Sequence, residues 1–240
     1  MKTRIFFLLI PLLLSLNTQA NHLPIGAINE QDEKGKTALH KIIPEFAEDL
    51  QKAIQLIRAG ADVNIQDNQG RTPLFNIIEV RDVDFDQNAV QFILQLVNAG
   101  ADPNIKDREG KTVLMYASEY YFKKERQPMG RPVEVKYMPN LDYISTLLNH
   151  GADPDLKDPN GRTILLEKLN HAKEWRIISR VDIQVIEKLI SHDANVNIRD
   201  REGQTALGLL RELKDKSLLV NWLNHYYRLH CLLLLHGARL

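Results

Sequence analysis

The 240-residue chain has a one- or two-domain length. Its 44% hydrophobic and 26% charged residues match a globular protein and exclude wholesale disorder, collagen and a disulfide-dense miniprotein. Lys+Arg and Asp+Glu stand at 31 each, so no excess of positive charge awaits a phosphate backbone, which speaks against nucleic acid as a partner.

The first twenty residues read as an export signal. Met1-Lys2-Thr3-Arg4 carries two positive charges, and Ile5 to Leu16 follows as an apolar run interrupted by Pro11. The run is shorter than the roughly 20 residues of a membrane span, and Asn17-Thr18-Gln19-Ala20 offers a cleavage site after Ala20. Residues 1–20 are therefore expected to be a signal peptide and 21–26 a short linker. Removing Lys2 and Arg4 leaves 29 basic against 31 acidic residues. No later stretch reaches membrane-span length, so no membrane insertion is expected after cleavage. One thiol, Cys231, and no Asn-x-Ser/Thr acceptor fit the periplasm of a bacterial envelope, with secretion as the alternative.

From Ala27 onward the chain repeats itself. Asp32-Glu33-Lys34-Gly35-Lys36-Thr37 recurs as Asp67-Asn68-Gln69-Gly70-Arg71-Thr72 and as Asp107-Arg108-Glu109-Gly110-Lys111-Thr112. It returns as Asp158-Pro159-Asn160-Gly161-Arg162-Thr163 and as Asp200-Arg201-Glu202-Gly203-Gln204-Thr205. In each copy Asp can bond its own turn backbone, Gly accepts a positive φ, and Thr starts a first helix. Leu39, Leu74, Leu114, Leu165 and Leu207, two residues past each Thr, are predicted to face the core.

The second helix of each copy carries an i, i+3, i+4 apolar stripe. It is Ala53, Leu56 and Ile57 in the first copy, and Ile93, Leu96 and Val97 in the second. Ile144, Leu147 and Leu148 follow, then Ile186, Leu189 and Ile190; Leu229, Leu233 and Leu234 keep the fifth helix apolar, although His230 breaks its stripe. Three residues later comes a helix-ending residue: Gly60, Gly100, Gly151 or Gly237, with Asp193 as a short polar substitute. The closing signature is Gly-Ala-Asp-x-Asn at Gly60 and Gly100; at Gly151 it ends in Asp155, and it is worn to Asp193-Ala194-Asn195-Val196-Asn197 and Gly237-Ala238-Arg239.

These two linked motifs resemble the ankyrin repeat over Ala27 to Leu240. The resemblance implies an all-α solenoid of about five helix-turn-helix repeats joined by short β-hairpins. The boundaries are about 27–61, 62–101, 102–152, 153–194 and 195–240. It also implies binding of proteins along the concave face, through hairpin tips and first helices. Transferred by position, the tips are Glu33 and Lys34, Asn68 and Gln69, Arg108 and Glu109, Pro159 and Asn160, Arg201 and Glu202. The adjoining first-helix positions are Lys41, Asn76, Tyr116 and Glu167. A family stack of this kind is a monomer in isolation.

Spacing shows where this chain departs from the pattern. From closing residue to next turn glycine is ten residues every time, whereas turn glycine to closing residue spans 25, 30, 41, 32 and 34. A period of about 33 leaves about 23 for that second span. The excess is expected between the two helices of each repeat, on one edge of the stack. The third copy holds the longest insert, with Tyr120, Tyr121, Phe122, Lys123, Lys124, Arg126, Arg131 and Tyr137 among three prolines. The fourth adds His171, Lys173, Trp175, Arg176 and Arg180, and the second an acidic group, Glu79, Asp82, Asp84 and Asp86, around Phe85. Tyr and Arg are enriched at binding hot spots, which makes the inserts candidate contact surfaces.

Chemistry is not expected. His225, His230, Cys231 and His236 lie at spacings that scatter them around a helix, unlike an i, i+4 metal pair. Cys231 is expected to be buried and inert, and His40 to brace its turn. No phosphate loop, nucleophile elbow or His-Glu-x-x-His occurs. No catalytic residue, metal or cofactor is therefore assigned, and a hydrolase on a solenoid scaffold is the rival class. The expected role is a non-catalytic, exported protein-binding module, an immunity-like or inhibitory partner of an envelope enzyme or toxin. The alternatives are support of a periplasmic enzyme such as catalase, or a secreted host-directed factor.

Overall fold

The computed structural model describes residues 28–44, 46–78, 86–119, 121–125, 133–137, 139–175, 178–216 and 220–239. Five helical pairs stack into one solenoid with one continuous hydrophobic core. In the first two repeats the first helix is a short 3-10 turn, Leu39–Lys41 and Pro73–Ile78. Pro44 limits the first of these, since the residue before a proline is steered out of the helical region. Among the described residues the α-helices are α1 (Ala47–Arg58), α2 (Asp86–Asn98), α3 (Val113–Ser118), α4 (Leu141–Asn149), α5 (Ile164–Trp175), α6 (Arg180–Ser191), α7 (Ala206–Lys216) and α8 (Val220–Leu235). Second helices pack in the row α1, α2, α4, α6, while the two 3-10 turns and α3, and likewise α5 and α7, pack along the first-helix row.

The repeated residues make repeated geometry. Leu39, Leu74, Leu114, Leu165 and Leu207 are all buried. Each second helix ends in one motif: the closing residue takes a positive φ, and the following Ala donates its N–H back to the carbonyl five residues earlier. These bonds are Ala61 to Leu56, Ala101 to Leu96, Ala152 to Leu147, Ala194 to Leu189 and Ala238 to Leu233, all 2.9–3.1 Å. The Gly-Ala pair is thus a stop signal in two parts, and Asp193, at φ 61°, is the one non-glycine residue with positive φ among the described residues.

The motif Asn then ties each repeat to the next. Asn64 accepts from the Asp102 N–H at 2.8 Å and donates to the Gly100 carbonyl at 2.9 Å, and Asn104 does the same to Asp153 and Gly151. Asn197 repeats it with Arg239 and Gly237. At the equivalent place Asp155 has no amide to donate, and both its oxygens accept from the Asn195 N–H.

Extra length is used in two ways. In the fourth and fifth repeats it lengthens helices, so His171, Lys173 and Trp175 belong to α5 rather than to a loop. In the third repeat it forms an antiparallel pair, β1 (Tyr121–Glu125) and β2 (Val133–Tyr137), in register Tyr121 to Tyr137 and Lys124 to Glu134. This hairpin is the only strand pair among the described residues; the connections between repeats are tight turns. Its base is closed by the Asn140 N–H on the Ala117 carbonyl at 3.1 Å, and Asn140 caps α4. The expected signal peptide, the linker and the second repeat's insert from Glu79 to Phe85 lie outside the described residues.

Candidate protein-binding surface

The turn aspartates build the tip row. Asp67 Oδ1 accepts from the Gln69 and Arg71 N–H groups at 2.8 and 3.0 Å, and Asp32, Asp107, Asp158 and Asp200 each hold the matching pair. With its aspartate turned inward, each turn pushes its two central side chains out. All ten predicted tip residues are exposed: Glu33, Lys34, Asn68, Gln69, Arg108, Glu109, Pro159, Asn160, Arg201 and Glu202. Neighbouring turns are stitched by backbone, Asn68 N–H to Lys34 carbonyl at 2.9 Å and Arg108 N–H to Gln69 carbonyl at 2.8 Å. The fit is close: a Cβ on Gly70 would come 2.9 Å from the Arg108 nitrogen. Pro159 has no N–H, so this stitch cannot form between the third and fourth repeats.

At that step lies a pocket of about 30 Å³ lined by α3, α5 and their turns, among them Lys111, Met115, Glu119, Arg162, Ile164 and Lys168. Drug-sized ligand sites are roughly ten times larger, so the pocket admits the end of a side chain rather than a substrate. It sits at the foot of the hairpin, since Glu119 ends the α3 side and β1 begins two residues later.

Beside the tips runs a second row that the sequence analysis did not single out, the residue after each turn glycine: Lys36, Arg71, Lys111, Arg162 and Gln204. Arg71 Nε lies 3.5 Å from Asp107 of the following repeat, and Arg162 reaches Glu167 at 3.5 Å, Asp200 at 3.8 Å and Glu202 at 3.8 Å. Lys111 pairs with Glu119 at 2.8 Å. Four cations in five aligned positions were the signal available in the sequence. Burial lowers the pKa of Arg71, but the bonds to Tyr116 and Asp107 outweigh it and raise it on balance.

Tyr116 sits at the centre of this network. Its hydroxyl lies 2.8 Å from Asp107 Oδ2 and 3.1 Å from Glu109, and receives Arg71 at 3.3 Å. Arg71 and Lys111 each lie 5.3 Å from its ring, and Phe75 meets it edge-on. Burial and the Asp107 carboxylate push its phenol pKa up, so the donor stays protonated. Half-buried Tyr116 therefore braces the tip row from below. Asn76 is buried and holds the Ile42 carbonyl at 2.7 Å, which corrects its expected place on the contact face. Lys41 is exposed and lies 2.9 Å from Asp32, whose carboxyl it holds at about 2.

The insert residues divide. Tyr121, Phe122, Lys123 and Lys124 lie in β1 and Tyr137 in β2, while Trp175 ends α5. Tyr120, Arg126, Arg131 and Arg176 lie outside the described residues. His40 is bound as expected: its Nδ1 accepts from the Thr37 N–H at 3.2 Å and Nε2 donates to the Arg71 carbonyl at 2.9 Å. Cys231 is exposed, not buried, because the face of α8 that carries it has nothing stacked on it among the described residues.

The family model "Ankyrin repeats (3 copies)" matches residues 45–125. The solved ankyrin repeat domain from Acinetobacter baumannii AYE aligns with 95% of this chain and 92% of its own, at 24% identity and a TM-score of 0.60. This is an ankyrin-repeat fold. A second solved ankyrin repeat protein aligns with 92% of this chain and 88% of its own, at 18% identity and a TM-score of 0.58. No curated protein matches the sequence. Among the described residues, no helix of this ankyrin stack is long and apolar enough to cross a membrane.

Proposed function

We propose that this chain is an exported ankyrin module that binds and restrains an envelope enzyme or toxin of the bacterium that makes it. The observation that carries this reading is the row of ten exposed tip residues, the first three turns linked by backbone, with the small pocket at the foot of the hairpin at the next step. Such a row offers polar contacts on turn backbone that is already ordered, so that binding has mainly the side chains left to fix. The basic start, apolar run and Ala20 of the first twenty residues support export.

The test has two steps. Fractionation of a Gram-negative host expressing the full chain should find it in the periplasm with Asn21 as its first residue; retention in the cytoplasm with Met1 intact contradicts export. Periplasmic protein captured by the purified chain is then titrated against it, with wild type compared with the tip variant Arg108→Ala/Glu109→Ala/Arg201→Ala. The variant should bind at least tenfold more weakly while melting at the same temperature. Inhibition of the captured protein's activity supports the restraining role, and unchanged or raised activity moves the reading to support of a periplasmic enzyme.

A further inference from the structure

In three of the repeats the second oxygen of the turn aspartate finds a donor in its own repeat. Lys41 lies 2.9 Å from Asp32 Oδ2, the Tyr116 hydroxyl donates to Asp107 Oδ2 at 2.8 Å, and the Asn160 amide donates to Asp158 Oδ2 at 3.2 Å. Lys41 and Tyr116 both stand six residues after their turn glycine. In the fifth repeat that position is Leu209, which is buried and has no polar side-chain atom. Asp200 Oδ2 is accordingly buried without a hydrogen bond, on a side chain 2% exposed. Buried polar atoms ordinarily have a partner, so the orphan asks what supplies one.

Charge at this step is unbalanced in the same sense. Between the second and third repeats, two cations, Arg71 and Lys111, act on two carboxylates, Asp107 and Glu109, and the Tyr116 hydroxyl donates between them. Between the fourth and fifth, Gln204 stands where Lys111 stands, and Glu167 joins Asp200 and Glu202. Arg162 is the one ion-pair partner of these three carboxylates among the described residues, at 3.5, 3.8 and 3.8 Å. It is shared too thinly to satisfy them, since Glu167 Oε2 is also buried without a hydrogen bond.

We infer that the step between the fourth and fifth repeats receives a basic side chain, a lysine or arginine, of the protein partner. The inference rests on the tip row being the partner surface. Glu167 and Glu202 have side chains 46% and 66% exposed, so an incoming cation meets them first. Once it neutralises them, Arg162 is left to Asp200 and can close the 3.8 Å gap to a charge-assisted hydrogen bond. Arg162 and Glu167 also line the small pocket at the foot of the hairpin, which joins this acidic step to the rest of the candidate surface. Complementary charge of this kind fixes the partner's register and excludes acidic competitors.

Titration of the purified full chain with acetyl-Gly-Arg-Gly-amide and acetyl-Gly-Lys-Gly-amide, followed by heteronuclear NMR, tests the site without the partner. Saturable shifts are expected at the Glu202 and Gln204 amides and at the Arg162 Nε–H, and acetyl-Gly-Glu-Gly-amide should leave them unmoved. Glu167→Gln/Glu202→Gln should weaken binding about fivefold without lowering the melting temperature. Shifts spread evenly over all five turns, shifts that survive the double variant, or no saturation would each overturn the site. The same double variant is then titrated against the captured periplasmic protein beside Arg108→Ala/Glu109→Ala/Arg201→Ala. Loss of affinity in both supports the site; loss in the tip variant alone overturns the site and leaves the tip row standing, and loss in neither overturns the tip row itself.

Discussion

Asp193 holds the left-handed corner that glycine holds at the end of the other four second helices. An L-residue there costs roughly 1–2 kcal/mol, and its side chain is exposed. Asp193→Gly should therefore stabilise the chain by about 0.5–1 kcal/mol, after the greater unfolded-state freedom of glycine is subtracted. Urea unfolding measures this, and an unchanged or lower midpoint contradicts the strain. His40 gives a pH signature. Burial lowers its pKa, and its Nδ1 already accepts the Thr37 N–H, so protonation breaks a bond. A lowered histidine pKa means the unfolded chain takes up the proton first, so stability is full above about 6.5 and falls as pH drops below it. The loss is bounded by about 1.4 kcal/mol per pH unit. Melting from pH 7.5 to 5.5 should show a smaller drop in His40→Asn than in wild type, and equal drops contradict the assignment. Both residues were legible in the sequence, because position within an aligned repeat fixes backbone geometry. The exposure of Cys231 was not, because periodicity gives a face and never says what lies against it.

At the scale of elements, Lys168 of α5 and Asp182 of α6 join the two helices of the fourth repeat. The pair is buried, 3.5 Å apart, and desolvation lowers the lysine pKa against the pull of Asp182. Asp182 also receives the N–H and hydroxyl of Ser179, the N-terminal cap of α6. Lys168→Met leaves a buried carboxylate without its cation and should cost about 3 kcal/mol in denaturant unfolding. A cost below about 1 kcal/mol would show that the Ser179 bonds alone satisfy Asp182. The long helices followed from their apolar stripes, but two features of the elements did not. The first helices of the first two repeats share the same Thr-x-Leu start as the others, yet they are 3-10 turns. The hairpin was hidden behind its prolines, although Val133-Glu134-Val135-Lys136-Tyr137 carries a period of two and β-forming residues.

Across the whole molecule, stability is a sum of repeats and their nearest-neighbour interfaces, so a segment that contributes to neither is free to serve binding. We propose that the hairpin insert stands outside that sum. The Asn140 N–H closes its base on Ala117, Asn140 caps α4 by itself, and α3 and α4 pack directly on each other. Loop-closure entropy grows only with the logarithm of length, so shortening this connection gains or loses little. The architecture was legible because five copies of two motifs overdetermine it. Of the candidate surface, the tips and the aligned cations below them were legible in the repeats, but the ion pairs of those cations and the pocket at the third-to-fourth step arise from packing between repeats.

The stack is expected to supply stability while the tips and the third-repeat insert supply recognition. Replacing Tyr120 to Tyr137 with a short Gly/Ser turn tests it most directly, with melting temperature and affinity for the captured envelope protein measured on the same preparation. The shortened chain should melt within a few degrees of wild type and bind at least tenfold more weakly, because losing Tyr or Arg hot spots typically removes 2 kcal/mol or more. Undiminished affinity, or a collapse of stability with the stack unable to form, would contradict that division of labour.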